Sequence, residues 1–209
     1  GLRGRVSRDL APVGPLSRPA LRALWLVPLG ALVWWVLYRQ GVRPDAGQLG
    51  TLMLWGPSVL QALAGLVVLV LALREAVPGR ALDRRALALG GAALAAWLAS
   101  VTWATWLRSP REAPPDLAGF FWRYCTGWSL VAALPLIALA LFLVRRAFPT
   151  RPALAGALCG LGAGLIVDGS WRTYCSVSAP GHILESHMLG LLAATLVGTL
   201  LGALVGRRR

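Results

Sequence analysis

The residues able to do chemistry in this chain are few: Cys125, and a short polar stretch holding Cys175, His182, Glu185 and His187. The two cysteines have similar flanks, Trp122-Arg123-Tyr124-Cys125 and Trp171-Arg172-Thr173-Tyr174-Cys175. A nearby guanidinium stabilises a thiolate and makes it more reactive. The pair therefore suits redox chemistry, a constitutive structural disulfide, or metal capture. Two soft thiolates with imidazole suit zinc, copper or cadmium-like ions, with His182, Glu185 and His187 as auxiliary ligands. A transient ion of that kind at the thiols is the one cofactor these residues suggest, and none is required. The spacing is not that of a preformed site. His182 and His187 stand five apart, about 140° on an α-helix, so they share a face only if the helix starts after His182, as Pro180-Gly181 would allow. Cys159 lies among glycines and reads as a small apolar packing residue.

The elements that must position these groups follow from composition. The chain has 209 residues, 57% of them hydrophobic and 14% charged, and its mean hydropathy is +0.65. That is too apolar for a soluble domain of this size. Runs of about 17 to 25 apolar residues match a hydrocarbon core of about 30 Å. Six occur, at 22–38, 49–73, 85–106, 121–144, 153–171 and 183–205. The expected fold is all-α and integral to a membrane: a segment 1–21, a six-helix domain 22–206, and an arginine tail 207–209. The first segment has no h-region and no small-residue cleavage site, so it is not read as a signal peptide.

The net charge of +13 would suggest nucleic acid in a soluble chain, but these arginines fall between apolar runs, so no direct nucleic-acid contact is expected. They report orientation instead. Residues 1–22, the second and fourth connections and the C-terminus carry fifteen arginines, and the alternate connections carry six. The positive-inside rule then places both termini in the cytoplasm. Trp103, Trp106, Trp122, Trp128 and Trp171 fall at the outer ends of their spans, half of an aromatic belt. Cys125 and Cys175 face the same, oxidising side.

Without a hydrophobic drive between helices, small residues that allow close backbone approach define helix contacts in lipid. Gly156, Gly160 and Gly164 on the fifth span and Gly198, Gly202 and Gly206 on the sixth recur every four residues. Each set makes one stripe, predicting a close pair whose outer mouth contains Asp168 and His187. Generic membrane packing would account for the same glycines.

Enzyme motifs are missing: there is no GxxxxGK[ST], HExxH or GxSxG with placed partners, and no CxxC. A membrane thiol oxidoreductase, the main alternative function, would ordinarily present such a close cysteine pair. A small metal-handling transporter would carry intramembrane ionisable groups, whereas Gln61 is the one strongly polar amide within a span.

The segments Asp9-Leu10-Ala11-Pro12-Val13-Gly14-Pro15-Leu16, Gly41-Val42-Arg43-Pro44-Asp45, Val77-Pro78-Gly79-Arg80-Ala81-Leu82 and Arg145-Arg146-Ala147-Phe148-Pro149-Thr150-Arg151-Pro152 resemble the loop signatures of NrsF-type membrane anti-sigma factors. With Cys175, His187 and the terminal Gly-Ala-Leu-Val-Gly-Arg-Arg, the likeness covers nearly the whole chain. It implies a non-enzymatic protein of the bacterial inner membrane that holds an extracytoplasmic-function sigma factor at the cytoplasmic face. It also implies that two outward-facing cysteines, here Cys125 and Cys175, answer metal or oxidative stress. Family members often carry a Trp before the histidine matched by His187, and here that residue is Ser186. The surfaces offered to a partner would be the N-terminal segment and the loops bearing Arg80, Arg84, Arg85, Arg145, Arg146 and Arg151, a basic face suited to an acidic patch. Orientation by charge alone is their other role.

Overall fold

The computed structural model describes residues 16–115 and 118–207, so the start of the N-terminal segment, Arg208 and Arg209 lie outside the described residues. Helix α1 is Pro19–Gln40, α2 Ala46–Glu75, α3 Arg84–Arg108, α4 Ala118–Arg145 and α5 Pro152–Trp171. Helix α6 begins at Pro180–His182, passes through a π-helical turn at Ile183–Met188 and continues as Leu189–Arg207. No strand occurs among the described residues. Among the described residues, six helices are long and apolar enough to cross a membrane.

Most helices run a few residues past the apolar runs of the sequence, because a helix ends at its caps rather than where charge begins. Gly41, at φ 115°, stops α1, Asp83 caps α3 by accepting from the Ala86 N–H at 3.0 Å, and Pro152 and Pro180 open α5 and α6, the position where a missing N–H costs nothing.

Helix α5 is the axis of the bundle. Its most apolar stretch is 78% buried, against 11% for α3. The predicted stripes explain one of its faces. A Cβ on Gly156 would strike the carbonyl of Gly198, one on Gly160 the carbonyl of Ala194, and one on Gly202 the carbonyl of Pro152. These helices therefore touch backbone to backbone. Toward the other end Gly164 meets the Leu191 side chain, at 3.0 Å from a built Cβ, so the pair widens there. The opposite face of α5 packs on α2 through Gly162, Gly169 and Gly65, glycines outside the predicted stripes. Leu69, Leu73, Ile137, Val144, Ala155 and Val167 fill the core between α2, α4 and α5.

Two ends result. At one, the α1–α2, α3–α4 and α5–α6 connections interlock: the Arg43 N–H donates to the Thr173 carbonyl at 3.0 Å and the Ser178 N–H to the Arg111 carbonyl at 2.9 Å. The α2–α3 and α4–α5 connections lie at the other.

Candidate functional site

Cys125 projects from the first turns of α4, and Cys175 from the α5–α6 connection. Their Sγ atoms lie 3.8 Å apart, and both residues are buried. His182 brings Nε2 to 3.5 Å from the Cys175 sulfur. One donor atom from each of Cys125, Cys175, His182 and His187 can be chosen so that all four lie within 4.8 Å of one another. Glu185, the remaining candidate, is exposed and stands outside this group.

The two histidines meet for a reason that α-helical geometry does not supply. The turn Ile183–Met188 is π-helical, and i→i+5 bonding sets residues five apart nearly above one another. His182 and His187 thus share a face within a helix that begins at Pro180, their rings 5.5 Å apart. The α-helical offset expected from the sequence does not hold here. Ser186, 0% exposed, braces this turn: its hydroxyl lies 3.3 Å from His182 Nδ1, and its carbonyl accepts from the Thr126 hydroxyl of α4 at 3.1 Å.

Behind the thiols sits a buried carboxylate. Asp168 Oδ1 lies 2.6 Å from His187 Nδ1, while Oδ2 accepts from Gln61 Nε2 at 2.5 Å and from Arg172 Nε at 3.3 Å. One side chain of α5 thereby holds groups from α2, α6 and the chain just beyond α5. Gln61 is the polar amide noted within an apolar run of the sequence, and Asp168 is its partner. With Nδ1 engaged, His187 leaves Nε2 buried and without a hydrogen-bond partner among the described residues.

The connection around Cys175 is tied down by a second carboxylate. Asp45 accepts from Arg43 Nε at 2.6 Å, from Arg43 Nη2 at 2.7 Å and from the Ser109 hydroxyl at 2.7 Å. Burial pushes the Asp45 carboxyl up, but its bonds to Arg43 and Ser109 outweigh burial and hold it below the ordinary carboxylate value. The bond to the Cys125 sulfur, together with burial, pushes the Cys175 thiol well above its ordinary value.

The family described as negative regulator of sigma F matches residues 6–207. The chain belongs to the NrsF family. It is similar to a Caulobacter vibrioides (strain NA1000 / CB15N) protein named anti-sigma-F factor NrsF, 33% identical over 159 residues, which is 75% of this chain and 73% of that protein. No solved structure matches.

In this NrsF-family chain the arginine-bearing end is built differently. Arg80, Arg84, Arg85, Arg145 and Arg146 are exposed. Arg151 is instead engaged: its Nε and Nη2 donate to Glu75 at 2.5 and 2.8 Å, and its Nη2 also donates to the Leu82 carbonyl at 3.1 Å. Glu75 is buried and accepts in addition from the Leu82 N–H at 2.6 Å. Arg22, buried at the start of α1, donates to the Leu143 carbonyl near the end of α4.

Proposed function

We propose that this chain is a membrane anti-sigma factor that holds an extracytoplasmic-function sigma factor at its arginine-rich end and releases it when a redox or heavy-metal signal reaches Cys125 and Cys175. The observation that carries the reading is the thiol pair itself. Two cysteines fifty residues apart in an NrsF-family chain bring their sulfurs to 3.8 Å at the end opposite Arg80, Arg84, Arg85, Arg145 and Arg146. The arginine asymmetry supports an orientation in the bacterial inner membrane with the arginines cytoplasmic and the thiols outside. Arg80, Arg84, Arg85, Arg145 and Arg146 form the basic face for an acidic patch on the sigma factor. Arg151 keeps that face in shape through Glu75.

Oxidation by hydrogen peroxide joins the two sulfurs: each thiol gives up one proton and one electron, a disulfide forms, and the hydrogen peroxide leaves as two water molecules. The Sγ–Sγ distance must then close from 3.8 Å to about 2.0 Å, which draws the start of α4 toward the α5–α6 connection. A signal of this kind shifts an equilibrium only by its differential effect on two arrangements. The glycine contact of α5 with α6 supplies a fixed point, tight toward the arginine-rich end and wider toward the thiols.

Co-purification from membranes tests the reading. The reduced protein retains a sigma factor, peroxide releases it, and Cys125→Ser and Cys175→Ser retain it under peroxide. Charge reversal of Arg80, Arg84 and Arg85 to Glu abolishes capture. If no sigma factor is retained in either redox state, the anti-sigma role is wrong. If capture survives the reversal, the basic face is wrong.

A further inference from the structure

The buried histidine behind the thiols has a second ring nitrogen, Nε2, with no hydrogen-bond partner among the described residues. We infer that Cys125, Cys175, His182 and His187 form a four-coordinate site for a thiophilic divalent cation such as zinc, with Asp168 as the residue that aims His187 into it. This inference rests on the reading of the thiol pair as the place where the signal arrives, and adds to it the ligand set and the class of ion.

Geometry supports the assignment first. A tetrahedral ion with metal–sulfur bonds of about 2.3 Å and metal–nitrogen bonds of about 2.0–2.1 Å requires sulfur–sulfur edges of about 3.8 Å and sulfur–nitrogen edges of about 3.5 Å. The Cys125–Cys175 separation is 3.8 Å and the Cys175–His182 separation is 3.5 Å. The four donor atoms already span no more than 4.8 Å, so capture needs small side-chain adjustments rather than a refolded loop.

The second support is the orientation of His187. A metal-bound imidazole ordinarily donates its other N–H to a carboxylate or carbonyl, which fixes the tautomer and the ring plane. Asp168 stands 2.6 Å from His187 Nδ1 and leaves Nε2, buried and unpartnered among the described residues, as the coordinating atom. His182 is held in the same manner, with Ser186 at Nδ1 and Nε2 toward the sulfur.

Charge and reach complete the case. Two thiolates neutralise a divalent cation, and their two protons pass to solvent on capture. The ligands come from α4, the α5–α6 connection and α6, and Asp168 extends the site to Gln61 of α2. One bound ion therefore grips three helices directly or through one intermediate.

Cobalt(II) replaces the unidentified ion in the test, because its visible absorption reports tetrahedral geometry and its sulfur-to-metal charge transfer reports thiolates. The full-length reduced protein in nanodiscs is titrated with Co2+, and X-ray absorption counts sulfur and nitrogen ligands. Two sulfurs and two nitrogens are expected in the wild-type protein. His187→Ala and His182→Ala each lose one nitrogen and weaken binding at least about tenfold, and Asp168→Asn keeps both sulfurs but weakens binding about 10–100-fold. Thermal unfolding of each variant separates a lost ligand from a lost fold, and His187→Gln stands in should Asp168→Asn not fold. Wild-type affinity and ligand count in the folded histidine variants would overturn the ligand set, while peroxide-driven release by the thiols would stand. No tetrahedral Co2+ in the wild-type protein would overturn the metal site, and sigma-factor release by peroxide is scored separately.

Discussion

Each end of the bundle is closed by a buried carboxylate that ties α2 to α5, and the two differ in what they leave over. Glu75, at the end of α2, is met by Arg151 at the start of α5 and by the Leu82 N–H. Asp168, near the end of α5, is met by Gln61 of α2, by Arg172 and by His187 of α6. The Glu75 cluster consists of an ion pair and backbone groups of one short connection, so it is a clasp. The Asp168 cluster includes an imidazole that is grouped with the two thiols and His182 and whose Nε2 has no hydrogen-bond partner among the described residues. The same device, a carboxylate linking α2 and α5, thus fixes one end and, under the proposed function, leaves the other able to respond.

Breaking what both ends share gives the largest effect. Gly198→Leu drives a side chain into the backbone of Gly156 and Gly160, which forces α5 and α6 apart. The variant is expected to lose cooperative thermal unfolding in nanodiscs, together with sigma-factor capture. Opening the clasp alone comes next. Glu75→Ala leaves Arg151 without its carboxylate, only the bond to the Leu82 carbonyl remaining, and is expected to cost about 3 kcal/mol, the low end for a buried pair, because the Arg151 side chain is 34% exposed. Unfolding measurements on Glu75→Ala should show that loss, with the rate of thiol labelling at Cys125 and Cys175 unchanged. Faster labelling would mean that the ends are not separate in this sense.

Acid acts on the carboxylate clip at the thiol end. The Asp45 carboxyl is held below its ordinary value, so its clip contributes in full above the unfolded value of about 3.9. That contribution is lost as pH falls from there through the lower folded value. The melting temperature is expected to fall on this acid limb, and Asp45→Asn should flatten the fall. The smallest effect belongs to α3, where a Cβ on Gly91 meets nothing within 4 Å. Gly91→Ala should leave capture unchanged and raise stability by no more than about 1 kcal/mol.

Much of this was legible in the sequence. Apolar run length predicts each helix, and the four-residue glycine spacing predicts the α5–α6 contact along with the approach of Asp168 and His187. The α5–α2 contact was hidden, since Gly65, Gly162 and Gly169 form no regular stripe and close approach there depends on which faces meet. The approach of His182 to His187 was hidden more deeply. It depends on a π-helical turn, and periodicity arguments assume α-helical spacing throughout. Arg151 read as one more loop arginine because its partner, Glu75, lies seventy-six residues away.

Under the proposed function, the state of the thiol pair at one end decides sigma-factor retention at the other. The most direct measurement follows, in one peroxide titration of membranes, the fraction of Cys125 and Cys175 thiols lost by mass spectrometry and the fraction of sigma factor released. The two fractions are expected to rise together, and neither Cys125→Ser nor Cys175→Ser is expected to release the sigma factor. Complete reaction of both thiols with the sigma factor still bound would contradict that function, as would release that precedes their reaction.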